Sequence, residues 1–133
     1  MVGFSILFRP EPKILTLCAL LAVSGQGFAN TVPIKFAKGS ECGVFSGNVK
    51  GKKFTLQLGA RQILNISTSE NFKAVVKDPK GRTLSTFEEY DEIDYGGDLQ
   101  LLYNTTTKGN YTISIMPRQQ NQYLNVQFCA FND

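Results

Sequence analysis

The chain has 133 residues, with 14 Lys and Arg against 11 Asp and Glu, three cysteines and no histidine. The missing histidine removes the Ser-His-Asp and Cys-His nucleophile arrangements, the commonest general base and the usual nitrogen ligand of zinc and copper. Most hydrolase chemistries are excluded on that ground, and the chain reads as a protein that is not an enzyme and needs no cofactor or metal.

Arg9 and Lys13 precede an apolar run from Ile14 to Val23, and Gly27 and Ala29 place small residues three and one positions before Asn30. That is the layout of a cleaved secretory signal peptide over residues 1–29. The apolar run is about ten residues long, whereas a bilayer core needs roughly 20, so no membrane span is expected in the mature chain. Cys18 lies within the run, behind Leu17, and is lost on processing. Residues 30–133 are then one exported domain, periplasmic or secreted.

From residue 30 onward twelve Lys and Arg face ten Asp and Glu, a net charge of +2, which gives no case for nucleic acid as the partner. The charges are uneven: Lys50 to Arg82 carries eight positive and two negative, and Glu88 to Asp98 carries six negative and none positive. Such a division places opposite signs on two faces of a small domain, or the acidic stretch on a solvated loop. Cys42 and Cys129 are the two cysteines left after processing. An isolated pair in an oxidising compartment reads as a disulfide, worth roughly 4 kcal/mol in the chain-entropy model.

Along the chain, period-two alternation dominates after the leader. Ile34 and Phe36 open a short strand. Glu41 to Val49 follows with Cys42, Val44 and Ser46 on one face and Phe45 and Val49 on the other. Gly51-Lys52-Lys53 turns into Phe54 to Leu58, with Phe54, Leu56 and Leu58 inward. Ile63 to Thr68 and Phe72 to Lys77 are the next strands. Asp78-Pro79-Lys80-Gly81 then makes a tight turn, with Arg82 to Phe87 as the hairpin partner. Leu99 to Tyr103, Tyr111 to Ile115 and Tyr123 to Phe128 complete the series, Asn125 and Gln127 facing outward in the last. Eight or nine short strands predict an all-β fold, a single antiparallel β-sandwich or a closely related barrel. The Phe and Tyr residues read as core and cross-strand packing.

Three stretches in order carry a resemblance: Ile34-Lys-Phe-Ala-Lys-Gly39 with Phe45-Ser-Gly-Asn-Val-Lys-Gly51, then Val75-Val-Lys-Asp-Pro-Lys-Gly81, then Gly109-Asn-Tyr-Thr-Ile-Ser-Ile115 with Tyr123-Leu-Asn-Val-Gln-Phe128. Together they resemble the bacterial pre-peptidase C-terminal-like β-sandwich family, and within it the periplasmic inhibitors of goose-type lysozyme. The resemblance implies an exported, non-catalytic module that inserts loops into a lysozyme cleft. The Ser46-Gly47-Asn48 stretch, before Lys50 and Gly51, matches the Ser-Gly portion of the pattern, and with Lys50 it is the first candidate partner contact. Arg118 and Gln119 lie in the loop that in the inhibitors is longer and richer in basic residues. The loop here, Pro117 to Gln122, is short and carries one cation, and the acidic stretch suits a cationic partner surface. The partner implied is goose-type lysozyme or another extracytoplasmic protein. The alternative is an accessory module that binds carbohydrate or another protein and leaves lysozyme untouched.

Each candidate has a structural reading beside it. Ser46-Gly47 also reads as a bend where a strand twists, and Arg118 as a solvated loop residue. Glu88 to Asp98 offers oxygens for Ca²⁺ but lacks the Asp-x-Asp-x-Asp-Gly order of a calcium loop, and reads as a solvated connection. Nothing places two carboxylates across a sugar cleft as a glycosidase requires. Asn65-Ile-Ser, Asn104-Thr-Thr and Asn110-Tyr-Thr fit the glycan acceptor pattern, and in a bacterial protein they read as polar strand and turn residues.

Overall fold

The structure, a computed structural model, describes residues 30–36 and 39–132. The leader read at 1–29 lies outside the described residues. The strands are β1 (Thr31–Pro33), β2 (Cys42–Asn48), β3 (Lys53–Leu58), β4 (Gln62–Thr68), β5 (Phe72–Lys77), β6 (Thr83–Leu84), β7 (Glu88–Asp91), β8 (Leu99–Asn104), β9 (Gly109–Pro117) and β10 (Tyr123–Asn132), with a 3-10 turn at Ile93–Tyr95. They form two five-stranded sheets, in the orders β1-β3-β9-β5-β6 and β2-β10-β4-β8-β7. The protein is a single antiparallel β-sandwich, the fold class that the alternation predicts.

Alternation explains the core. Phe54, Leu56 and Leu58 of β3, Tyr111, Ile113 and Ile115 of β9, and Phe72 and Val76 of β5 are buried on the inner face of the first sheet. Leu124, Val126 and Phe128 of β10, Leu64 and Ile66 of β4, and Leu99, Leu101 and Tyr103 of β8 meet them from the second. Phe54 is the bridge between the layers. Its ring centroid lies 4.9 Å from Phe45 of β2, edge-on, and 5.4 Å from Phe128 of β10. The Tyr111 hydroxyl donates to the Thr107 carbonyl at 2.6 Å, so a buried ring keeps its polar end satisfied.

The Cys42–Cys129 disulfide is present and joins directly opposed residues of β2 and β10. Gly43, one residue on, sits where the chain before β2 passes close by: a Cβ there would lie 2.9 Å from the Lys35 carbonyl oxygen.

Several boundaries differ from the sequence reading. The first strand is Thr31–Pro33, and Ile34 and Phe36 follow it, Ile34 donating its N–H to the Thr55 carbonyl at 2.8 Å. Their apolar side chains pack on the core edge without continuing the strand. The hairpin partner expected over 82–87 pairs with β5 at Thr83 and Leu84. The acidic stretch is more ordered than a solvated connection: Glu88–Asp91 pairs with β8 as an edge strand, and the 3-10 turn follows it. β10 runs four residues past Phe128, because Ala130 and Phe131 still pair with β4. Among the described residues there are ten strands, where about eight were expected, β1 and β6 being only three and two residues long.

The β5–β6 turn is built on a buried carboxylate. Asp78 Oδ1 accepts the N–H groups of Lys80 and Arg82, each at 2.9 Å, and Oδ2 accepts Arg82 Nε at 2.8 Å. Burial pushes the carboxyl up, but the two amides and the guanidinium outweigh it and hold Asp78 below the usual carboxylate range.

Two outcomes are expected. Phe54→Ala should lower the unfolding free energy by about 3–5 kcal/mol in urea denaturation, because it removes the inter-sheet bridge and leaves a cavity. For Asp78, a depressed folded pKa means that its contribution is complete above about pH 4 and is lost as pH falls through the folded value. The urea midpoint of the wild type should drop below about pH 4, and Asp78→Asn should flatten that drop.

Candidate functional site

Most connections cross from one sheet to the other, which gathers loops at the two ends of the sandwich. The pairing registers place 49–52, 69–71, 92–98 and 118–122 at one end: Asn48 is opposite Tyr123, Phe72 opposite Pro117, Thr68 opposite Leu99, and Asp91 opposite Leu99. Both stretches singled out in the sequence therefore meet there. The Val49 N–H donates to the Gln122 carbonyl at 2.9 Å and ties the β2–β3 turn to the β9–β10 loop.

Within this end, the candidates divide by environment. Ser46 and Asn48 are exposed on the outer side of β2, opposite Asn125 and Tyr123. Asn48 Oδ1 accepts the Lys50 N–H at 2.8 Å and shapes the turn that presents the exposed Lys50. Gly47 points inward and is buried. At φ +154 it takes a conformation that favours glycine, and a Cβ would lie 3.0 Å from the Phe45 ring. Its part is to let Phe45 close on the core, and it offers no contact surface. Arg118 is exposed, with its N–H donating to the Asn71 carbonyl at 3.1 Å. Gln119 is half-buried: its carbonyl accepts Gln122 Nε2 at 3.2 Å, and its own Nε2 is buried without an acceptor.

Charge is graded across the end. β2 and β7 are the two edges of one sheet, so Lys50 just after β2 is separated from Glu92 just after β7 by the sheet's full width. Four interstrand spacings make that about 19 Å. Tyr95 projects from the acidic side at 90% exposure.

Between the β5–β6 and β7–β8 pairs the sandwich opens into a cleft of about 520 Å³ that includes Asn71, Arg118, Glu89, Asp91 and Tyr103 in its lining. The sequence reading missed it, because its walls come from opposite sheets. The salt bridge found among the described residues is Arg82–Asp78, so the cleft's carboxylates are not paired with its cations. Burial pushes the Tyr103 phenol up to about 12, and the neighbouring Glu89 carboxylate adds to it. The ring therefore stays a neutral donor on the cleft wall. Among the described residues no group of three or more Cys, Asp or Glu side chains is placed to hold a metal ion, and no helix is long and apolar enough to cross a membrane.

No protein-family model matches the chain, and comparison with curated proteins finds no match. Membership of the pre-peptidase C-terminal-like family, suggested by the residue patterns, thus has no family model behind it. Among solved structures the chain is similar to the crystal structure of Aeromonas hydrophila PliG, a periplasmic lysozyme inhibitor of g-type lysozyme. The identity is 20% and the TM-score 0.47, over 77% of this chain and 95% of that one. At that level the likeness carries no residue roles across.

Tyr103 supplies a direct check of the cleft. Its raised folded pKa means that its stabilising contribution is complete below about pH 10 and is lost as pH rises toward the folded value. Absorbance titration of the phenolate should show one transition near 12. That transition should be absent in Tyr103→Phe and shifted to lower pH in Glu89→Gln.

Proposed function

We propose that the protein is an exported, non-catalytic binding module that meets an extracytoplasmic protein through the loop end of the sandwich, with goose-type lysozyme as the partner. The observation that carries this reading is the Val49–Gln122 hydrogen bond. It ties the Ser46 to Lys50 segment to the Arg118–Gln119 loop, far apart in sequence, at one end of the sandwich. The lysozyme itself comes from the sequence resemblance. Lys50 and Arg118 would face the acidic groups of the partner's cleft, where complementary charge raises the association rate. Loops held by backbone hydrogen bonds lose less entropy on docking. The cross-strand disulfide supports an oxidising compartment, periplasmic or extracellular, and agrees with the leader read in the sequence.

The test is a turbidity assay in which Gram-positive cell walls are lysed by goose-type or chicken-type lysozyme with the purified mature protein added. Inhibition selective for the goose type, weakened about tenfold in Arg118→Ala or Lys50→Glu without a change in melting temperature, is the expected result. Flat lysis curves with both enzymes would rule out the lysozyme partner.

A further inference from the structure

The strands β2, β10, β4 and β8 hold thirty residues and not one Asp, Glu, Lys or Arg. At the chain's 19% charged content about six would be expected. On the inner face the absence is ordinary for a core. The outer face is different, because exposed sheet faces usually carry mixed charge. Here alternation and register place amides, hydroxyls and aromatic rings side by side instead. Gln127 is opposite the buried Ser67 on one side and Val44 on the other, Ser67 is opposite Gln100, and Gln100 is opposite Tyr90, a row that crosses the four neutral strands and ends on the acidic edge strand, where Glu88 is hydrogen-bonded to the Tyr90 hydroxyl. Tyr123 and Asn125 extend it along β10 beside Asn48 and Ser46. Tyr123 and Tyr90 are 63% and 44% exposed, and Asn125 and Gln127 are exposed between them.

We propose that this outer face is a second binding site, for a neutral oligosaccharide. Charge decides the occupant. Over β2, β10, β4 and β8 an ionic polymer or a charged protein surface would lose water around its charges with no counter-charge to replace it, and at the β7 edge the Glu88 carboxylate repels an anionic one. An uncharged polyol loses nothing of that kind. A side-chain amide offers a donor and an acceptor together, the pattern that adjacent sugar hydroxyls require. The two tyrosines add ring faces for the apolar side of a sugar. Backbone recognition of a peptide is closed to this face, since β10, β4 and β8 each pair on both edges. The row is partly preorganised: Asn65 Nδ2 donates to Gln100 Oε1 at 2.9 Å, which fixes the Gln100 amide and leaves its NH₂ free to donate. Five strands at about 4.8 Å spacing give a span near 19 Å, which suits several linked sugars better than one. The site is separate from the cleft and from Arg118, and stands whether or not the loop end meets a lysozyme.

The test uses the whole mature protein, labelled with ¹⁵N, and follows side-chain amide resonances by NMR. The probes are cello-, malto-, xylo-, manno- and chito-tetraose, with glucose and a polygalacturonate tetramer as the monosaccharide and charged arms. At least one neutral tetrasaccharide at millimolar concentration should shift the Asn125, Gln127 and Gln100 NH₂ signals. It should bind about tenfold more weakly to Gln127→Ala and Tyr123→Ala, exposed positions where substitution leaves the fold intact. Glucose and the polygalacturonate should bind far more weakly. No shift with any neutral tetrasaccharide overturns the proposal, as do equal binding of the charged tetramer or shifts confined to residues off this face.

Discussion

The contact on which the rest of the molecule depends is the meeting of Phe54 with Phe45 and Phe128 between the two sheets. Facing sheets pack about 10 Å apart, and three rings in edge and tilted arrangements fill that gap with the large apolar areas that dominate core energetics. Seven of the nine strand-to-strand connections cross this gap, and the two that remain in one sheet are β5–β6 and β7–β8. The sheet-to-sheet spacing therefore also sets the reach of the loops. The two proposed surfaces lie accordingly, one at an end, where crossings gather, and one on the outer side of one layer.

Charge is managed by position. β7 is an edge strand whose four residues are all exposed, with Glu88, Glu89 and Asp91 along it. An acidic edge resists pairing with a neighbouring chain, and the same residues wall the cleft on one side. At the opposite edge the chain preceding β2 lies so close to Gly43 that a side chain there would strike the Lys35 carbonyl. Glycine is needed at that point for the close approach of the two segments. The β7 edge is thus guarded by charge, and β8, β4, β10 and β2 beside it carry none.

How much of this was legible in the sequence depended on whether a residue's neighbours are local. Phe54, Leu56 and Leu58 alternate cleanly, and β5 was read with its observed bounds, because one side of each strand is core and the other water. The acidic strand was hidden because it lies over the cleft and buries no apolar side chain, so it has no apolar period to detect. The end of β10 was hidden for the opposite reason: Phe128, Cys129 and Ala130 are buried in succession, since the disulfide fills the outer position, and the alternation vanishes. Ile34 and Phe36 alternate like a strand while only sealing the core edge. The proximity of Lys50 to Gln122, and the neutral row, depend on strand order, which local pattern does not contain. Asn125 and Gln127 were legible as outward, and the absence of charge around them gains meaning once β2, β4 and β8 are known to be their neighbours.

The two proposed surfaces meet at one strand pair. Asn48 and Tyr123 are opposed where the β2–β10 ladder reaches the loop end, and Cys42 and Cys129 are opposed at the other end of the same ladder. Between them alternation sends Val44, Ser46, Asn125 and Gln127 outward and Phe45, Leu124, Val126 and Phe128 inward. A slip of one residue would exchange those sets, burying the amides and exposing the core. The covalent bond at one end and the Val49–Gln122 hydrogen bond at the other hold that register from both sides. Their common consequence is positional: the same constraint that keeps Phe45 against Phe54 also fixes which amides face water and how far Lys50 stands from Arg118. Stability and recognition are consequently not separable on this ladder, whereas the acidic edge, which pairs along β8 alone, is free to change its side chains with little effect on the core.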